Sequence, residues 1–289
     1  MPPELTLTAL TASPTTLVDH GRPGLRHRGY PAGGPADRDS ALLAREMLAS
    51  PPEQPLLEFA QHPGRWELSG HGTFVLTGAD FRWTLNGRKL RRYRAHQLTG
   101  ETAVLTGKMP ATGLRGYLNV AGAWRTSPTP DEHQLLLHHG SVEALRPDAY
   151  LPAGWTHTIR TDTRPATKFP VPEFPEATTH VLPTLPGPEW DWLSPREQAA
   201  FLAATWRIDP QSNRQGLMLH GEDFTPPTLP ELLSSPVLPG TIQLTPTGPI
   251  LLGPDAQTIG GYPRVRVLAE TTQRDLAYQI PLRGRIRFR

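Results

Sequence analysis

Two stretches of the sequence combine ionisable side chains with enough glycine to let a ligand approach the backbone. The first begins Asp19-His20-Gly21-Arg22-Pro23-Gly24 and continues through a glycine-rich loop to Asp37. A carboxylate and a guanidinium three residues apart can pair across a tight turn, and consecutive N–H groups around glycine form a nest that binds anions. The pattern therefore favours binding of a small polar ligand. A purely structural turn, closed by an ion pair between Asp19 and Arg22, explains the same residues.

The second stretch lies near the C-terminal end, between Gly253 and Pro263. It offers a carboxylate, an amide, a hydroxyl and a phenol within eight residues, from Asp255, Gln257, Thr258 and Tyr262. The adjacent Gly260 and Gly261 leave the backbone bare beside these groups. Convergent hydrogen-bonding groups of this kind recognise small polar molecules. The alternative is an ordinary glycine-rich turn whose polar side chains satisfy their own backbone.

Three further polar residues stand at the ends of predicted strands: Glu58, Asp80 and Arg115. Glu58 lies between Leu57 and Phe59, and apolar surroundings would raise the pKa of its carboxyl group and suit it to acid–base chemistry. An exposed position at a sheet edge is the alternative for Glu58.

Several common enzyme signatures are absent from the sequence. It contains no GxxxxGK[ST] phosphate loop, no GxGxxG dinucleotide fingerprint, no GxSxG elbow and no HExxH zinc motif. Any use of ATP must therefore proceed without a Walker-type cradle in this chain. His133, His138 and His139 are interpreted as a solvated strand or turn, and no metal site is predicted.

The composition indicates many short strands joined by turns. The 289 residues include 34 Pro and 26 Gly, which break helices and are interleaved with Val, Ile, Leu and Trp rather than set in polar tracts. Because the formal net charge is only +2, the basic run from Arg88 to Arg94 is interpreted as a solvated strand edge, and nucleic acid is not an expected partner. The chain has no Cys, no signal-peptide pattern at its first residues and no apolar run approaching the ~20 residues of a membrane span, so we expect a cytoplasmic protein.

Periodicity and turn signals place the elements. An alternating pattern predicts a strand from Leu5 to Leu17, and Asp37 caps a predicted helix over Arg38–Leu48 in which Ala41, Leu42, Arg45 and Leu48 share a face. Asn86-Gly87 is a hairpin signal, Leu114–Val120 alternates as a strand, and Ser194 opens a helix that runs to about Thr205. Five later strands are predicted at Leu217–Leu219, Thr241–Leu244, Ile250–Leu252, Val265–Leu268 and Ile286–Phe288. The fold class is therefore mainly β with two short helices, in a barrel-like lobe over 1–160, a proline-rich linker over 161–177 and a second barrel-like lobe over 178–289.

The same motifs resemble one known family along nearly the whole chain. In the first half the matching segments are the D-x-G-R-x-G run from Asp19, the glycines up to Asp37, Leu57-Glu58, Gly78-Ala79-Asp80 and Gly113 to Leu118. In the second half they are Leu185 to Glu189, Asn213 to Leu217, Ser235 to Gln243 and Asp255 to Pro263. These segments resemble the KipA family, which comprises the C-type subunits of 5-oxoprolinase and also forms the second half of the carboxyltransferase region of urea carboxylase.

The resemblance implies cyclophilin-like β-barrel lobes and a partner of the KipI type, which is the B-type component of 5-oxoprolinase, with an A-type component as the third. It implies a role in the ATP-dependent opening of 5-oxoproline to glutamate. Two alternatives stay open: a carboxyltransferase component of urea or allophanate metabolism, which would use biotin, and a non-catalytic protein that antagonises a KipI-like kinase inhibitor.

Under this resemblance the two glycine-rich stretches are expected to face one pocket. The catalytic candidates are Asp80, Glu58 and Asp255. The substrate-binding candidates are Asp19, Arg22, Arg115, Gln257, Thr258, Tyr262, Gly260 and Gly261. Arg22 and Arg115 are expected to neutralise a carboxylate or phosphate, Asp80 or Glu58 to move a proton, and Gln257 to hold a developing oxyanion.

The chain departs from the family pattern after Gly122. It reads Ala123-Trp124-Arg125-Thr126-Ser127-Pro128 where the family has a second glycine and a polar G-S-R-S-T loop. Asn213 also replaces the Asp that precedes Arg214 in the family pattern. Loss of a polar loop beside the cleft would alter the substrate or leave a non-catalytic member.

Overall fold

Short antiparallel strands dominate the computed structural model, which describes residues 3–124, 150–162, 166–172, 174, 177–221, 223–230 and 232–289. The chain divides into two units: residues 1–21 with 37–174, and residues 22–36 with 175–289. The loop 22–36 thus belongs to the second unit, although the chain on either side of it belongs to the first. The predicted mainly β class with barrel-like sheets is confirmed.

The first unit is built on one sheet, which contains ten strands within the described residues. Its strands are β1 (Glu4–Ala9), β2 (Thr15–Val18), β3 (Leu56–Ala60), β4 (Arg65–Gly78), β5 (Thr84–Leu85), β6 (Arg88–Lys89), β7 (Ala95–Thr106), β8 (Arg115–Val120), β9 (Gly122–Trp124) and β10 (Thr156–Thr161). The order is β2-β3-β8-β4-β1-β10-β9, with β7 joining β4 to the β5–β6 hairpin.

One bulge lets the long strand β4 serve two partners on the same side. Residues 66–70 pair with β1, residues 74–78 pair with β8, and the register against β7 shifts between Ser69 and His71. Gly70 lies in the bulge with a φ of 111°, and a Cβ atom there would meet the carbonyl oxygen of Glu4 at 2.2 Å. A glycine is required at this position because any side chain would break the pairing with β1.

Helix α1 (Arg38–Met47) covers part of this sheet. Asp37 caps it by accepting a hydrogen bond from the N–H of Ser40 at 3.1 Å. Ala41, Ala44 and Met47 are buried. They pack in one hydrophobic cluster with Val75 and Tyr117 of the sheet.

The second unit contains an eight-stranded sheet and a two-stranded sheet in the described part of the chain. Its strands are β11 (His180–Leu182), β12 (Thr184–Pro186), β13 (Trp206–Ile208), β14 (Gly216–Gly221), β15 (Ser235–Pro236), β16 (Thr241–Thr245), β17 (Gly248–Leu252), β18 (Ile259–Gly260), β19 (Arg264–Leu268) and β20 (Arg285–Phe288). The larger sheet has the order β11-β20-β13-β14-β17-β16-β19-β12, and β15 pairs with β18.

Aromatic packing fills the core of the second unit. Helix α2 (Pro195–Ala203) places Phe201 against Trp206 and Phe288, with ring centroids 5.1 and 5.7 Å apart. Ala36, from the loop 22–36, is fully buried in the same core. A third helix, α3 (Thr271–Ala277), follows β19.

Several sequence predictions for these elements are confirmed. The five later strands are present as β14, β16, β17, β19 and β20, and α2 begins with the predicted capping box of Ser194 and Glu197. Asn86 and Gly87 both have positive φ, 47° and 81°, in the turn of the β5–β6 hairpin. Arg88 and Lys89 are exposed on β6, whose pairing partner among the described strands is β5, as expected for a charged edge.

Three predictions about elements were wrong. The strand predicted over Leu5–Leu17 is two strands, because the chain turns through Ser13-Pro14 and Pro14 has no N–H to continue a ladder. Leu42 of α1 is 52% exposed, while Arg45 is buried and donates to the carbonyl of Gln54 at 3.3 and 3.4 Å. The described residues hold three α-helices, not two, because α3 was missed.

Among the described helices, none has the length and apolar character needed to cross a membrane. The three histidines at 133, 138 and 139 and the altered loop at 126–127 lie outside the described residues.

Candidate functional site

Arg22 closes the loop 22–36 internally, and the loop backbone bonds to the second glycine-rich stretch. The guanidinium of Arg22 donates to the carbonyl of Pro31 at 3.2 Å, and its N–H donates to the carbonyl of Ala32 at 2.7 Å. The N–H of Gly33 donates to the carbonyl of Pro254 at 2.8 Å, which joins the loop to the second glycine-rich stretch. A Cβ atom on Gly33 would lie 3.3 Å from the guanidinium of Arg22. Because glycine has no side chain, the Arg22 guanidinium fits beside it. Arg22 and Asp255 were predicted to share a site, and they lie on segments that are hydrogen-bonded to each other.

Asp255 is held by an arginine that the site prediction did not include. Arg214 donates to both carboxylate oxygens of Asp255, from Nε at 2.6 Å and from Nη2 at 3.0 Å. The same Nη2 donates to the carbonyl of Gly34 at 2.6 Å. A buried bidentate pair of this kind fixes both groups in one geometry. Arg214, in the segment before β14, thereby links Asp255, which is 1% exposed, to Gly34 of the loop 22–36.

The signal for Arg214 was present in the sequence. It lies in the Asn213-Arg214-Gln215-Gly216 segment that resembles the family, between the predicted helix from Ser194 and the predicted strand Leu217–Leu219. Distance along the chain from Asp255 concealed the pair, since 41 residues separate them.

Gln243 organises the remaining polar groups of the second stretch. Its side chain is 2% exposed on β16, and its amide nitrogen donates to the carbonyl of Tyr262 at 2.9 Å. The Gln257 amide donates to the Gln243 carbonyl oxygen at 3.4 Å. A Cβ atom on Gly260 would approach the Gln243 amide to 2.7 Å, so a bare backbone is needed there. The buried amide of Gln243 therefore orients an exposed amide, Gln257, and the backbone that carries Tyr262.

Tyr262 lies at the wall of a cleft of about 590 Å³. We call it the proline cleft, because Pro226, Pro227, Pro230 and Pro246 line it together with Gly261 and Tyr262. The Tyr262 side chain is 48% exposed. The cleft has the apolar walls and the volume that suit a small organic ligand.

Arg26 fixes the segment on the other side of Gln257. Its guanidinium donates to the carbonyl of Val237 and, at 3.2 Å, to the carbonyl of Gln257. Burial lowers the pKa of Arg26 from its usual value. Thr258 contributes its carbonyl, which accepts from the N–H of Val237 at 3.1 Å. The Gln257-Thr258 backbone is thus fixed from two directions, which leaves the Gln257 side chain at the surface.

In the first unit, Glu58 and Arg115 lie together in a buried network. The Arg115 Nε atom is 3.5 Å from Glu58 Oε1, and the hydroxyl of Tyr117 donates to Glu58 Oε2 at 2.9 Å. The N–H of Asp37 donates to the same hydroxyl at 2.9 Å. Burial raises the pKa of Tyr117 well above its usual value, and the neighbouring carboxylates Glu58 and Asp37 raise it further. Tyr117 therefore stays protonated and donates to Glu58, which is neither at a sheet edge nor among apolar groups alone.

The carboxylates of Asp80 and Asp19 each accept a hydrogen bond from a backbone N–H two residues further along the chain and so stabilise a turn. The Asp80 carboxylate accepts from the N–H of Arg82 at 2.9 Å and lies 3.9 Å from Nε of Arg92, and its side chain is 39% exposed. The Asp19 carboxylate accepts from the N–H of Gly21 at 2.7 Å and is buried. In these contacts, neither carboxylate bonds to Glu58 or Arg115.

The structure thus groups the predicted residues into two sets. Glu58 and Arg115 form one set in the first unit, where Asp19 and Asp80 also lie. Arg22, Asp255, Gln257, Thr258, Gly260, Gly261 and Tyr262 form the other set, in the second unit, where Arg214 and Gln243 join them. Within the described residues, no group of three or more His, Cys, Asp and Glu side chains is arranged to hold a metal ion.

Comparison with known proteins relates these residues to a family. The family model for the carboxyltransferase domain, subdomains A and B, matches residues 28–289. The chain belongs to this family. The carboxyltransferase-domain match covers the second glycine-rich stretch and residues 28–37 of the first, and it confirms the resemblance found in the motifs.

Individual relatives support the assignment. The chain is 32% identical over 280 residues to the C-type subunit of 5-oxoprolinase from Escherichia coli (strain K12), covering 95% of this chain and 87% of the relative. It is 21% identical over 222 residues to urea amidolyase of Saccharomyces cerevisiae, covering 73% of this chain and 12% of that protein. Among solved structures, TTHA0988 superposes with a TM-score of 0.78 at 26% identity, over 100% of this chain and 55% of that chain. This chain therefore spans about half the length of TTHA0988 and a small part of urea amidolyase.

Proposed function

We propose that the chain is the C-type subunit of an ATP-dependent 5-oxoprolinase, which opens 5-oxoproline to glutamate together with a KipI-like B-type partner and an A-type component. The observation that carries this proposal is the 32% identity with the C-type 5-oxoprolinase subunit of Escherichia coli over 95% of this chain. The extent of the match matters, because 95% of the chain spans both units.

The chemistry of the second unit supports a cyclic amide as the ligand. A lactam presents one carbonyl acceptor, one N–H donor and an apolar ring. The Gln257 amide can both donate and accept, the Tyr262 phenol is half exposed, and the proline cleft beside Tyr262 has apolar walls. In the proposal Gln257 and Tyr262 hold the amide, and the bare backbone at Gly260 and Gly261 lets the ring approach.

Among the carboxylates, the geometry favours Glu58 over Asp80 for proton transfer. Glu58 is buried, accepts a hydrogen bond from the Tyr117 phenol and lies beside the Arg115 guanidinium. Asp80 uses its carboxylate to close a turn at the surface. The proposal therefore assigns the acid–base role to Glu58 and a turn-forming role to Asp80, with Asp255 positioning the second stretch through Arg214.

The residues of the proposed amide site do not fit a nucleoside triphosphate. Such a ligand needs several cationic groups directed at it. Here the Arg214 guanidinium holds Asp255 and Gly34, and the Arg22 guanidinium holds Pro31. No step of the proposal passes through ATP at this site, and ATP use is assigned to the assembled complex.

Reconstitution tests the proposal. The chain is combined with the A-type and B-type components, and glutamate release from 5-oxoproline is measured with and without ATP. Tyr262→Phe and Gln257→Ala should each lower the rate about tenfold or more, because each removes a hydrogen bond to the reacting amide. Tyr150→Phe removes an exposed phenol outside the site and should leave the rate unchanged. Absence of ATP-dependent glutamate release from the wild-type complex would contradict the function; equal rates in Tyr262→Phe, Gln257→Ala and wild type would contradict the site.

The similarity to urea amidolyase favours one second candidate, a carboxyltransferase component that moves a carboxyl group from carboxybiotin to urea. Biotin would then be the cofactor. Urea-dependent discharge of carboxybiotin, in an assay where 5-oxoproline gives no glutamate, would select this candidate.

A further inference from the structure

The second unit has a cleft that none of the predicted site residues line. Its volume is about 650 Å³. We call it the arginine cleft, because Arg207, Arg283 and Arg285 line it together with His220, Asp209 and Asp223. The volume suits a small organic molecule.

Sheet register places three of these residues in one row. Arg207 on β13 is directly opposite His220 on β14 and directly opposite Arg285 on β20. Directly opposed residues of an antiparallel sheet have Cβ atoms roughly 4.5–5.5 Å apart, and like charges at that spacing destabilise the pairing. The two opposed arginines thus form a cationic row that a bound anion would stabilise.

Arg283 brings a third guanidinium to the cleft from an unusual backbone conformation. It has a φ of 68° in the turn before β20, and its N–H donates to the carbonyl of Ile208 at 2.9 Å. Glycine adopts this conformation without strain, whereas a side chain here costs about 1–2 kcal/mol. Within the described residues, the guanidinium groups of Arg283 and Arg285 form no hydrogen bond or ion pair.

The acidic residues of the cleft only partly offset these charges. The Asp209 carboxylate accepts from the N–H of Gln211 at 2.6 Å and lies 2.7 Å from the His220 Nε2 atom. Those contacts lower the pKa of Asp209, the hydrogen bond from Gln211 having the larger effect. The Asp209 carboxylate is thus already bonded to Gln211 and His220, and among the described residues it is not paired with Arg283 or Arg285.

From this arrangement we propose that the arginine cleft binds a small molecule carrying phosphate or carboxylate groups, at a site separate from the amide site. Guanidinium groups bind such oxyanions by paired N–H donors, and Arg283 and Arg285 have these donors directed to solvent. The concave shape favours a small molecule over an extended polymer.

Calorimetric titration of the full chain with pyrophosphate and with citrate tests the proposal. Arg285→Gln should weaken binding about tenfold, the effect of losing a hydrogen bond to a charged group. Arg283→Gly should weaken it similarly while the melting temperature stays the same or rises, since glycine relieves the positive φ. The matched control is Arg196→Gln on α2, which removes the same charge from an exposed position outside the cleft and should change affinity by less than about twofold.

Each outcome bears on the proposal. Binding of both probes, lost in the two cleft variants, supports an oxyanion site, and binding of one probe alone assigns it to phosphates or to carboxylates. Absence of saturable binding overturns the proposal, as does equal affinity in wild type, Arg285→Gln and Arg283→Gly. Equal weakening by Arg196→Gln also overturns it, because the effect would then follow net charge alone.

Discussion

At the residue scale, Arg214 and Asp255 form a buried bidentate pair with two short hydrogen bonds. A bidentate pair is rigid, and removal of one partner leaves an uncompensated buried charge. In the other buried network, Glu58 accepts a hydrogen bond from the Tyr117 phenol at 2.9 Å and lies 3.5 Å from Nε of Arg115. In the proposed function, Asp255 positions the second stretch and Glu58 transfers the proton.

Replacement of Arg214 by lysine should destabilise the protein although the charge is kept. Lysine cannot form two parallel hydrogen bonds to Asp255 and also reach the carbonyl of Gly34. We expect the free energy of unfolding to fall by about 2–3 kcal/mol, measured by denaturant titration. Arg196→Lys, at an exposed position, should change it by less than about 0.5 kcal/mol. Equal stability of the two variants would show that the bidentate geometry is unimportant.

The Tyr117 hydroxyl gives a second prediction. Tyr117→Phe removes a donor to Glu58 and an acceptor for the N–H of Asp37, so the free energy of unfolding should fall by about 2 kcal/mol. Because burial raises the pKa of Tyr117, the wild type and the variant should show the same phenolate absorbance near the usual tyrosine pKa of about 10. A lower phenolate absorbance in Tyr117→Phe than in the wild type at that pH would mean that Tyr117 ionises normally.

The sequence predicted most of the polar residues but not their partners. Residue type and glycine content identified Asp255, Gln257 and Tyr262, because local spacing records a turn and its polar groups. Arg214 and Gln243 were absent from the predicted site because they meet these residues only through the sheet, across 41 and 14 positions. Whether the two sets of polar residues form one active centre stays a prediction.

At the element scale, a single ion pair joins the turn before α2 to β19. Arg264 donates to both carboxylate oxygens of Glu189, from Nη2 at 2.6 Å and from Nε at 2.9 Å, and its N–H adds a bond of 2.8 Å. These bonds lower the pKa of Glu189, and the side-chain hydrogen bond from Arg264 has the largest effect. The short 3₁₀ turn Trp190–Trp192, which follows Glu189, is fixed to the sheet in this way.

Glu189 should therefore contribute a pH-dependent part of the stability. The pKa is lower in the folded state than in the unfolded state, so the contribution is fully present above the unfolded value of about 4.3 and is lost as the pH falls through the folded value. Glu189→Gln should be less stable than wild type by about 2 kcal/mol at pH 7, and the gap should close in acid. A gap that stays constant from pH 7 to about pH 2 would contradict this assignment.

Turn chemistry explains which elements the sequence predicted. The β5–β6 hairpin and α2 carry strong local signals, Asn86-Gly87 and the capping box at Ser194, and both are confirmed. Helix α3 has seven residues, and its N-cap residue Glu270 makes no capping hydrogen bond, so no local signal marked it. Packing against β19 stabilises it, and such packing is not visible in periodicity.

At the scale of the whole molecule, the chain enters the second unit twice. Residues 22–36 belong to it, although residues 1–21 and 37–174 belong to the first unit. The second entry, at residue 175, falls within the predicted proline-rich segment 161–177, but no linker pattern marks the crossings at residues 21–22 and 36–37. They depend on hydrogen bonds to Pro254, Val237 and Gly34 that are made more than 170 residues apart.

A fragment comparison tests this organisation. Residues 175–289 alone lack Ala36 in the core and the partners of Arg214 and Pro254, so we expect a lower melting temperature than for the same fragment joined to residues 22–36 by a flexible Gly/Ser linker. The difference should be several degrees, since each kcal/mol shifts the melting temperature by roughly 4–8 °C in a domain of about 100 residues. A scrambled 22–36 segment serves as the control, and equal melting of all three fragments would contradict the assignment.

The crossing also sets an order on biosynthesis. Residues 22–36 leave the ribosome early, but Pro254, Val237 and Arg214 are translated roughly 180–220 residues later, which takes about ten seconds or more at translation speeds of up to ~20 residues per second. During that interval the nascent chain exposes a glycine-rich segment with no docking surface, and the contacts that finally capture it span most of the polypeptide. Final docking of this segment is therefore expected to be a late, post-translational step.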